Sequence, residues 1–477
     1  MTFKPSKYQQ AIYNWIKENK SRALVVEACA GSGKTTTIVE ALSIIPSDKD
    51  VLFVAFNTHI ADELNRRTPD NVTALTYHKV GLRAIMANVG RVDIKDYKLS
   101  NMYKYLFPEA PTLYSSMRTL VSLTKATLIE PKDELLEELC FRHDIDMLDD
   151  PGYLFSIVRT MIAETAKRPN VVDFDDMCWL PVVLDYPMKK FDYVFVDEAQ
   201  DTNKSQIELA LRSVKPDGRI IAVGDRNQSI YGFRGADVDA IPNLISGLKA
   251  DTLPLSITYR CPKSHVKQCN ELFPDIPIEC APGAKQGHIG KMSEDEFLDL
   301  VQQGDIVLCR CNAPLVSPAF KLIRKGRKVS IKGREIGTNL ISMIEKAGVT
   351  DIDNLYPMLN EYCNKEIQKF SLKHKEMSIQ NVEDKRDTIF AIAKEVHSLE
   401  DLKQKIASIF ADTIPDITFS SVHKAKGLEA DNVFIINREL MPHPKAKLDW
   451  EKIQEQNIMY VAFTRAKNSL TFVNIER

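Results

Sequence analysis

What this sequence lacks already narrows what it can be. It has no excess of either charge: 63 Lys and Arg stand against 65 Asp and Glu, a formal net charge of −2. So balanced a chain is not a generally basic polymer binder, although a local basic groove remains open to it. Its nine cysteines, at 29, 140, 178, 261, 269, 280, 309, 311 and 363, form no CxxC pair and have no histidine at matching spacing. That argues against a zinc or iron–sulfur site and for reduced thiols. No apolar run is long enough to span a bilayer, so no membrane partner is expected. The opening MTFKPSKYQQ lacks the basic-then-apolar order of a secretion signal, which sets the expected location as cytoplasmic. There is no repeat of fixed period and no low-complexity linker.

What is present is enough core for two or three domains, with 44% hydrophobic residues in 477. Short apolar, β-rich runs recur, each leading into a helical pattern. In the first half they lie at 24–28, 51–56, 193–196 and 219–223; in the second at 253–257, 306–308, 328–331, 417–419, 433–436 and 470–473. The alternation predicts parallel sheets with helices on their faces, an α/β class. Two stretches break the rhythm with mostly helical patterns, 82–172 and the heavily charged 334–411. The expected organisation is a first α/β domain over 1–81 and 173–250 with 82–172 inserted, and a second over 251–333 and 412–477 with 334–411 inserted.

The stretch EACAGSGKTTTIVEAL, residues 27–42, follows an apolar run and opens a helical pattern. That is the setting of a phosphate-binding loop. Successive N–H groups of Ala30, Gly31, Ser32 and Gly33 would point at an anion, helped by the helix dipole. Lys34 would bridge the outer phosphates and the Thr35 hydroxyl would hold Mg²⁺. Ala28 stands where glycine usually begins the pattern. Kinases, GTPases and motors share such a loop, so a second site must discriminate. VFVDEAQD, residues 194–201, supplies it by placing Asp197 and Glu198 after an apolar run. One carboxylate can hold the metal shell, here Asp197, while Glu198 orients and deprotonates water.

With these residues in view the chain resembles the UvrD/Rep/PcrA family of superfamily 1 DNA helicases. The likeness is carried by PSKYQQAI at 5–12, ACAGSGKT at 28–35, VAFNTHIADEL at 54–64, TYHKVG at 76–81 and VDFDDM at 172–177. It continues in VDEAQDTN at 196–203, VGDRNQSIYGFRGA at 223–236, LSITYRCP at 255–262, SSVHKAKGLE at 420–429 and YVAFTRAK at 460–467, in the family's order. The resemblance implies two RecA-like motor domains with ATP in the cleft between them. It implies that Gln9, or its neighbour Gln10, reads the adenine edge, since an amide donates and accepts together. It makes Tyr259 the base-stacking ring, Gln228 the γ-phosphate sensor, Arg260 and Arg465 arginine fingers, and Glu429, beside Gly427, the acceptor of a ribose hydroxyl. Thr36 takes the place of an arginine that packs on the base in many relatives, so adenine grip leans on Tyr259.

On the nucleic-acid side the resemblance implies stacking of single-stranded bases on Phe56 and Phe233, with Tyr231 and Arg234 in the same group. Stacking grips without reading sequence. Thr76, His78, Arg310, Asn312 and His423 match positions near the DNA backbone. A place in the core for Phe56, and structural roles for His78 and His423, are the competing readings. DFDDM at 173–177 resembles a metal cluster, but a helix N-cap accounts for Asp173. RKGRK at 324–328 reads as an exposed helix end.

The function these expectations describe is an ATP- and Mg²⁺-dependent motor that moves on single-stranded DNA, 3′→5′ by resemblance, and unwinds duplex at single-strand/duplex junctions. A translocase that displaces proteins with little unwinding and a DNA-sensing ATPase switch in a larger complex are the alternatives. Protein partners and the choice between repair and replication stay open. Relatives usually carry a longer second insertion that restrains unwinding, so the short 334–411 segment leads us to expect weaker self-inhibition.

Overall fold

The computed structural model describes residues 4–18, 21–147, 150–232, 239–274, 277–332, 334–372, 376–394, 396–410, 417–444 and 446–475. It divides into two compact units, Met1–Ser256 and Ile257–Arg477.

The first unit is built on strands β1 (Ala23–Ala28), β2 (Val51–Ala55), β3 (Val72–Thr76), β4 (Phe191–Val196), β5 (Val214–Gly224) and β6 (Asp251–Leu255), all parallel, in the order β3-β2-β4-β5-β1-β6. Side chains alternate between faces along a strand. Leu24, Val26, Phe53, Ala55, Phe195 and Val223 therefore enter one core, and Val25, Leu52, Val54, Val194, Val196 and Ala222 the opposite one. A sheet buried on both faces needs continuous apolar runs, which is why these strands stand out in the sequence. The 253–257 run, expected to open the second sheet, is instead β6 and pairs with β1. The unit boundary accordingly falls after Ser256 rather than near residue 250. The inserted stretch is helical, with its own core around Met117, Leu120, Leu154, Val158 and Met161. Its expected start at 82 lies inside one continuous helix, Tyr77–Val89.

The second sheet holds β7 (His288–Ser293), β8 (Ile306–Cys309), β9 (Val329–Ile331), β10 (Ile417–Ser421), β11 (Ala430–Ile436) and β12 (Ala466–Asn474), parallel, in the order β7-β12-β11-β8-β10-β9. β7 is an exposed or half-buried edge strand and carries no apolar run. The 334–411 stretch forms the helices Arg334–Lys346, Leu355–Ser371, Glu376–Ala393 and Leu399–Ile409. Its Leu340, Ile344, Leu359, Ile392 and Ile406 share one core with Val307, Phe419 and Phe434 of the sheet. It is part of the unit's body, not an appended module. Among the described residues no helix is long and apolar enough to cross a membrane.

Candidate active site

In the first unit the functional candidates sit on the turns that leave the carboxyl ends of the strands, where open parallel sheets bind ligands. After β1 the chain turns through Gly31 (φ 71°) and Gly33 (φ 77°), both left-handed, a conformation that glycine adopts without a Cβ clash. Gly33 is the N-cap of the helix Lys34–Ile44 and offers no side chain to it, so the first-turn N–H groups stay available to an anion. The buried Ser32 hydroxyl has no hydrogen-bond partner among the described residues. An orphan donor in a left-handed glycine loop is what a phosphate would satisfy.

After β4 come Asp197 and Glu198. Lys34 Nζ lies 3.0 Å from Glu198 Oε2. Burial alone would lower the Lys34 pKa, but the carboxylates of Glu198, Asp225 and Asp197 hold it well above the ordinary lysine value. Asp197 is pushed up to about 7, first by burial and then by the charge of Glu198 beside it. Two crowded carboxylates facing one lysine leave a demand for further positive charge. Hard oxygen donors, the Asp197 carboxylate and the Thr35 hydroxyl on the exposed first turn, suit Mg²⁺. Glu198 itself has φ 49°, a costly conformation for a side-chain-bearing residue, of the kind concentrated at functional sites.

Nothing in the spacing of the VDEAQD motif singles out Gln200. Its side chain is 1% exposed. Nε2 donates to Glu198 Oε2 at 2.6 Å and to Asp201 Oδ2 at 3.1 Å, and Oε1 accepts the Asp225 N–H at 2.9 Å. Asp225, at the end of β5, accepts in turn from Gln228 Nε2 at 2.6 Å. Arg226 pairs with Glu27 at the end of β1. The acid pair, the Gln228 turn and the loop strand are thus one connected polar network.

Gln9 is the inward member of its pair. It is buried, donates to Thr37 Oγ1 at 3.0 Å and accepts the Ser6 N–H at 2.9 Å. Gln10 points outward to Asn14, so its side chain does not face the loop. Thr35 and Thr36 are exposed beside it.

Phe56 follows β2 and is 44% exposed, which removes the core reading. Its ring lies parallel to Tyr231, 15° between planes and 6.3 Å between centroids. Thr76 is buried and its hydroxyl caps the Tyr77–Val89 helix by accepting the Lys79 N–H, a structural duty the sequence did not suggest. His78 is half-buried and edge-on to Phe174 at 5.7 Å, and burial lowers its pKa. Phe233 and Arg234 lie outside the described residues.

In the second unit the candidates divide between the two ends of the sheet. Arg310 and Asn312 follow the carboxyl end of β8, and His423 follows that of β10; Glu429 and Arg465 immediately precede β11 and β12. Arg310, expected near the DNA backbone, has a carboxylate partner within its own unit. Its guanidinium forks onto the buried Glu455, with contacts of 3.0, 3.0 and 2.6 Å, because a buried charge needs a matched partner. Asn312 Oδ1 is buried without a partner among the described residues. His423 is half-buried in the turn after β10. Tyr259 is 53% exposed. Arg260 and Lys467 both pair with Glu429, at 2.5 and 2.6 Å. Arg465, expected to reach a phosphate, is 1% exposed and donates to Val461 O, Leu428 O and Thr464 Oγ1. Its guanidinium is turned into its own unit. Gly427 (φ 89°) turns the chain before Glu429. Asp173 caps its helix, as read from sequence, and Asp176 returns the bond to complete a reciprocal box. In the RKGRK stretch Lys325 pairs with Asp299 on the surface, and Arg327 donates to Val301 O.

Residues 9–248 match the UvrD/REP helicase N-terminal domain and residues 323–477 the UvrD-like helicase C-terminal domain. The chain is 25% identical to F-box DNA helicase protein 1 of Schizosaccharomyces pombe, over 95% of this chain and 55% of that protein. It thus spans about half the length of that relative. It is 23% identical to ATP-dependent DNA helicase PcrA of Staphylococcus aureus, over 96% of this chain and 83% of that one. With PcrA of Bacillus subtilis it shares 27% identity over 52% of this chain and 37% of that protein.

Proposed function

Since the chain belongs to the UvrD/REP helicase family, we propose that it is an ATP-dependent DNA helicase that moves on single-stranded DNA. The observation that carries the reading is the 3.0 Å pairing of Lys34 with Glu198, at a glycine loop whose sensor Gln228 is wired to the same carboxylate. A free phosphate loop serves many enzymes; one tied to a sensor turn serves an enzyme whose hydrolysis must be reported elsewhere.

In this mechanism the loop N–H groups and Lys34 bind the ATP phosphates, and Gln9 with Tyr259 holds the adenine. The Thr35 hydroxyl and the Asp197 carboxylate would hold Mg²⁺, which would supply neutralisation of the phosphate charge. Glu198 positions the attacking water and takes its proton. Arg260 leaves Glu429 for the transferring phosphate, and Glu429 accepts a ribose hydroxyl. Arg465 acts with Arg260 once cleft closure frees it from its carbonyls. Phe56 and Tyr231 grip bases without reading sequence. Alternating closure and opening of the cleft between units moves the strand in the 3′→5′ direction, and junctions with duplex are the sites of unwinding.

The test is ATP turnover with and without single-stranded DNA, beside strand separation on duplexes carrying either a 3′ or a 5′ tail. Turnover stimulated by DNA and unwinding from the 3′ tail are expected. Stimulated turnover with protein displacement but no strand separation would make it a translocase; turnover indifferent to DNA would sink the motor.

A further inference from the structure

We propose that Gln200 is a positioning residue that locks the catalytic carboxylate to the sensor turn, so that the two move as one body. The inference rests on the motor reading above and deepens it.

The geometry is specific to this side chain. The Gln200 carboxamide uses both ends: Nε2 holds Glu198 Oε2 at 2.6 Å, and Oε1 holds the Asp225 N–H at 2.9 Å. Its backbone grips the far flank of the same turn, where Ser229 Oγ donates to Gln200 O at 3.2 Å. The short helix Arg226–Gln228 is therefore held at both ends by one residue. Inside that turn, Asp225 accepts the Asn227 N–H at 3.1 Å and Gln228 Nε2 at 2.6 Å. A shift of Gln228 toward a phosphate pulls on Asp225, and the pull reaches Glu198 through a single amide.

Two further features suit a relay more than a filler. First, the close approach is built into the backbone. A Cβ on Gly224 would sit 2.6 Å from Gln200 Oε1, so glycine is what lets the amide reach the strand end. Second, Glu198 Oε2 is shared by Lys34 at 3.0 Å and Gln200 at 2.6 Å. When Lys34 turns to the phosphates, the Gln200 amide remains to fix the Glu198 rotamer. An amide can do this because it donates at one end and accepts at the other. A carboxylate there would repel Glu198, and an apolar isostere would leave it loose.

The experiment compares Gln200→Met with the intact chain, measuring ATP turnover with and without single-stranded DNA, KM for ATP, affinity for a fluorescent nucleotide analogue, and the melting temperature. The expected result is a DNA-stimulated kcat lower by roughly 10- to 100-fold, with KM and analogue affinity within about twofold and the stimulation ratio collapsed toward one. A residue that only fills space would lower the melting temperature and leave the ratio of stimulated to basal turnover intact, which would overturn the relay. Should Gln200→Met melt below the assay temperature, Gly224→Ala decides on the same readouts. It presses on the Gln200 amide oxygen at 2.6 Å and, less closely, on the Gln200 backbone N at 3.1 Å, and otherwise on the flexible end of Ile241. If the intact chain itself shows no DNA-stimulated turnover, the motor reading falls and the relay with it; if the intact chain is stimulated and both variants match it, the relay alone falls.

Discussion

Arg310 and Glu455 face each other as a fork and a carboxylate, 145 residues apart in sequence, with side chains 13% and 3% exposed. Glu455 also accepts the His443 N–H at 2.9 Å. Removing one member of such a pair strands the other charge away from water. Glu455→Ala should therefore destabilise the second unit by about 3–5 kcal/mol, seen as an early unfolding transition. Arg310→Met combined with Glu455→Met should recover much of the loss. If Arg310→Met instead weakens DNA binding while thermal unfolding stays put, Arg310 is a DNA contact after all.

The helix beginning at Phe174 is anchored by a second buried charge cluster. Asp176 is 0% exposed and takes Lys98 at 2.6 Å and Lys125 at 2.7 Å. Burial pushes the Lys98 pKa down, and the nearby Lys125 adds to that against the pull of Asp176. Asp176→Asn would leave two buried ammonium groups with Asp173, and for Lys125 the more distant Asp175, as remaining acids. A loss on the order of 3–5 kcal/mol follows, with partial recovery in Asp176→Asn/Lys98→Met because one stranded cation is gone. Equal stability of Asp176→Asn and the intact chain would show that water reaches the cluster.

These two pairs mark the limit of what the sequence reveals. The capping box of Asp173 and Asp176 spans three residues and is legible locally, whereas Lys98 lies 78 residues from Asp176 and no pattern announces it. Strands β1, β2, β4 and β5 are legible because sheets covered on both faces require unbroken apolar runs, whereas β3 (VTALT) interrupts its apolar residues with threonine and does not stand out. β7 is not legible, because its edge position leaves it half in water. The 253–257 run is recognisable as a strand but not as a partner of β1, since pairing is a property of the folded sheet. The place of Gln200 is not legible in the sequence because its carboxamide oxygen accepts a backbone N–H 25 residues away. The 334–411 stretch reads as helical and charged, yet its shared core with the sheet is a tertiary fact. Deleting residues 340–405 would thus open that core, and the expectation of weak self-inhibition needs surface substitutions on these helices instead.

At the phosphate loop, the 3.0 Å contact between Lys34 and Glu198 separates two roles that single substitutions can isolate. Lys34→Ala removes the cation proposed to bind the phosphates and should abolish turnover while leaving most affinity for single-stranded DNA. Glu198→Gln keeps the shape but cannot take a proton, so ATP should stay bound and unhydrolysed, detectable by filter binding of labelled nucleotide. Rapid hydrolysis by Glu198→Gln would move the general base elsewhere.

Phe56 and Tyr231 are parallel rings with Phe56 44% exposed, an apolar surface that water does not favour and a nucleobase would cover. Phe56→Ala should weaken binding of oligothymidylate by about 1–3 kcal/mol, with Phe56→Trp retaining it. Since stacking does not read base edges, the loss should be alike for homopolymers of comparable flexibility. A loss confined to one base would mean a hydrogen-bonded pocket rather than a platform.

His265 in the helix Lys263–Leu272 gives the second unit a pH dependence of its own. The ring is 0% exposed, Nδ1 meets Ser264 Oγ at 3.2 Å, and Nε2 has no partner among the described residues. Burial, followed by the neighbouring His288, lowers its pKa to about 4. The unfolded chain, with an ordinary histidine near 6.5, takes up the proton first. Its stabilising contribution is complete above that value, declines as pH falls, and is gone once pH passes the folded value near 4. Thermal unfolding followed between pH 7 and 4 should show the second unit's transition falling with acid, and His265→Gln should flatten that fall. An equally steep fall in His265→Gln would assign the acid sensitivity to the carboxylates instead.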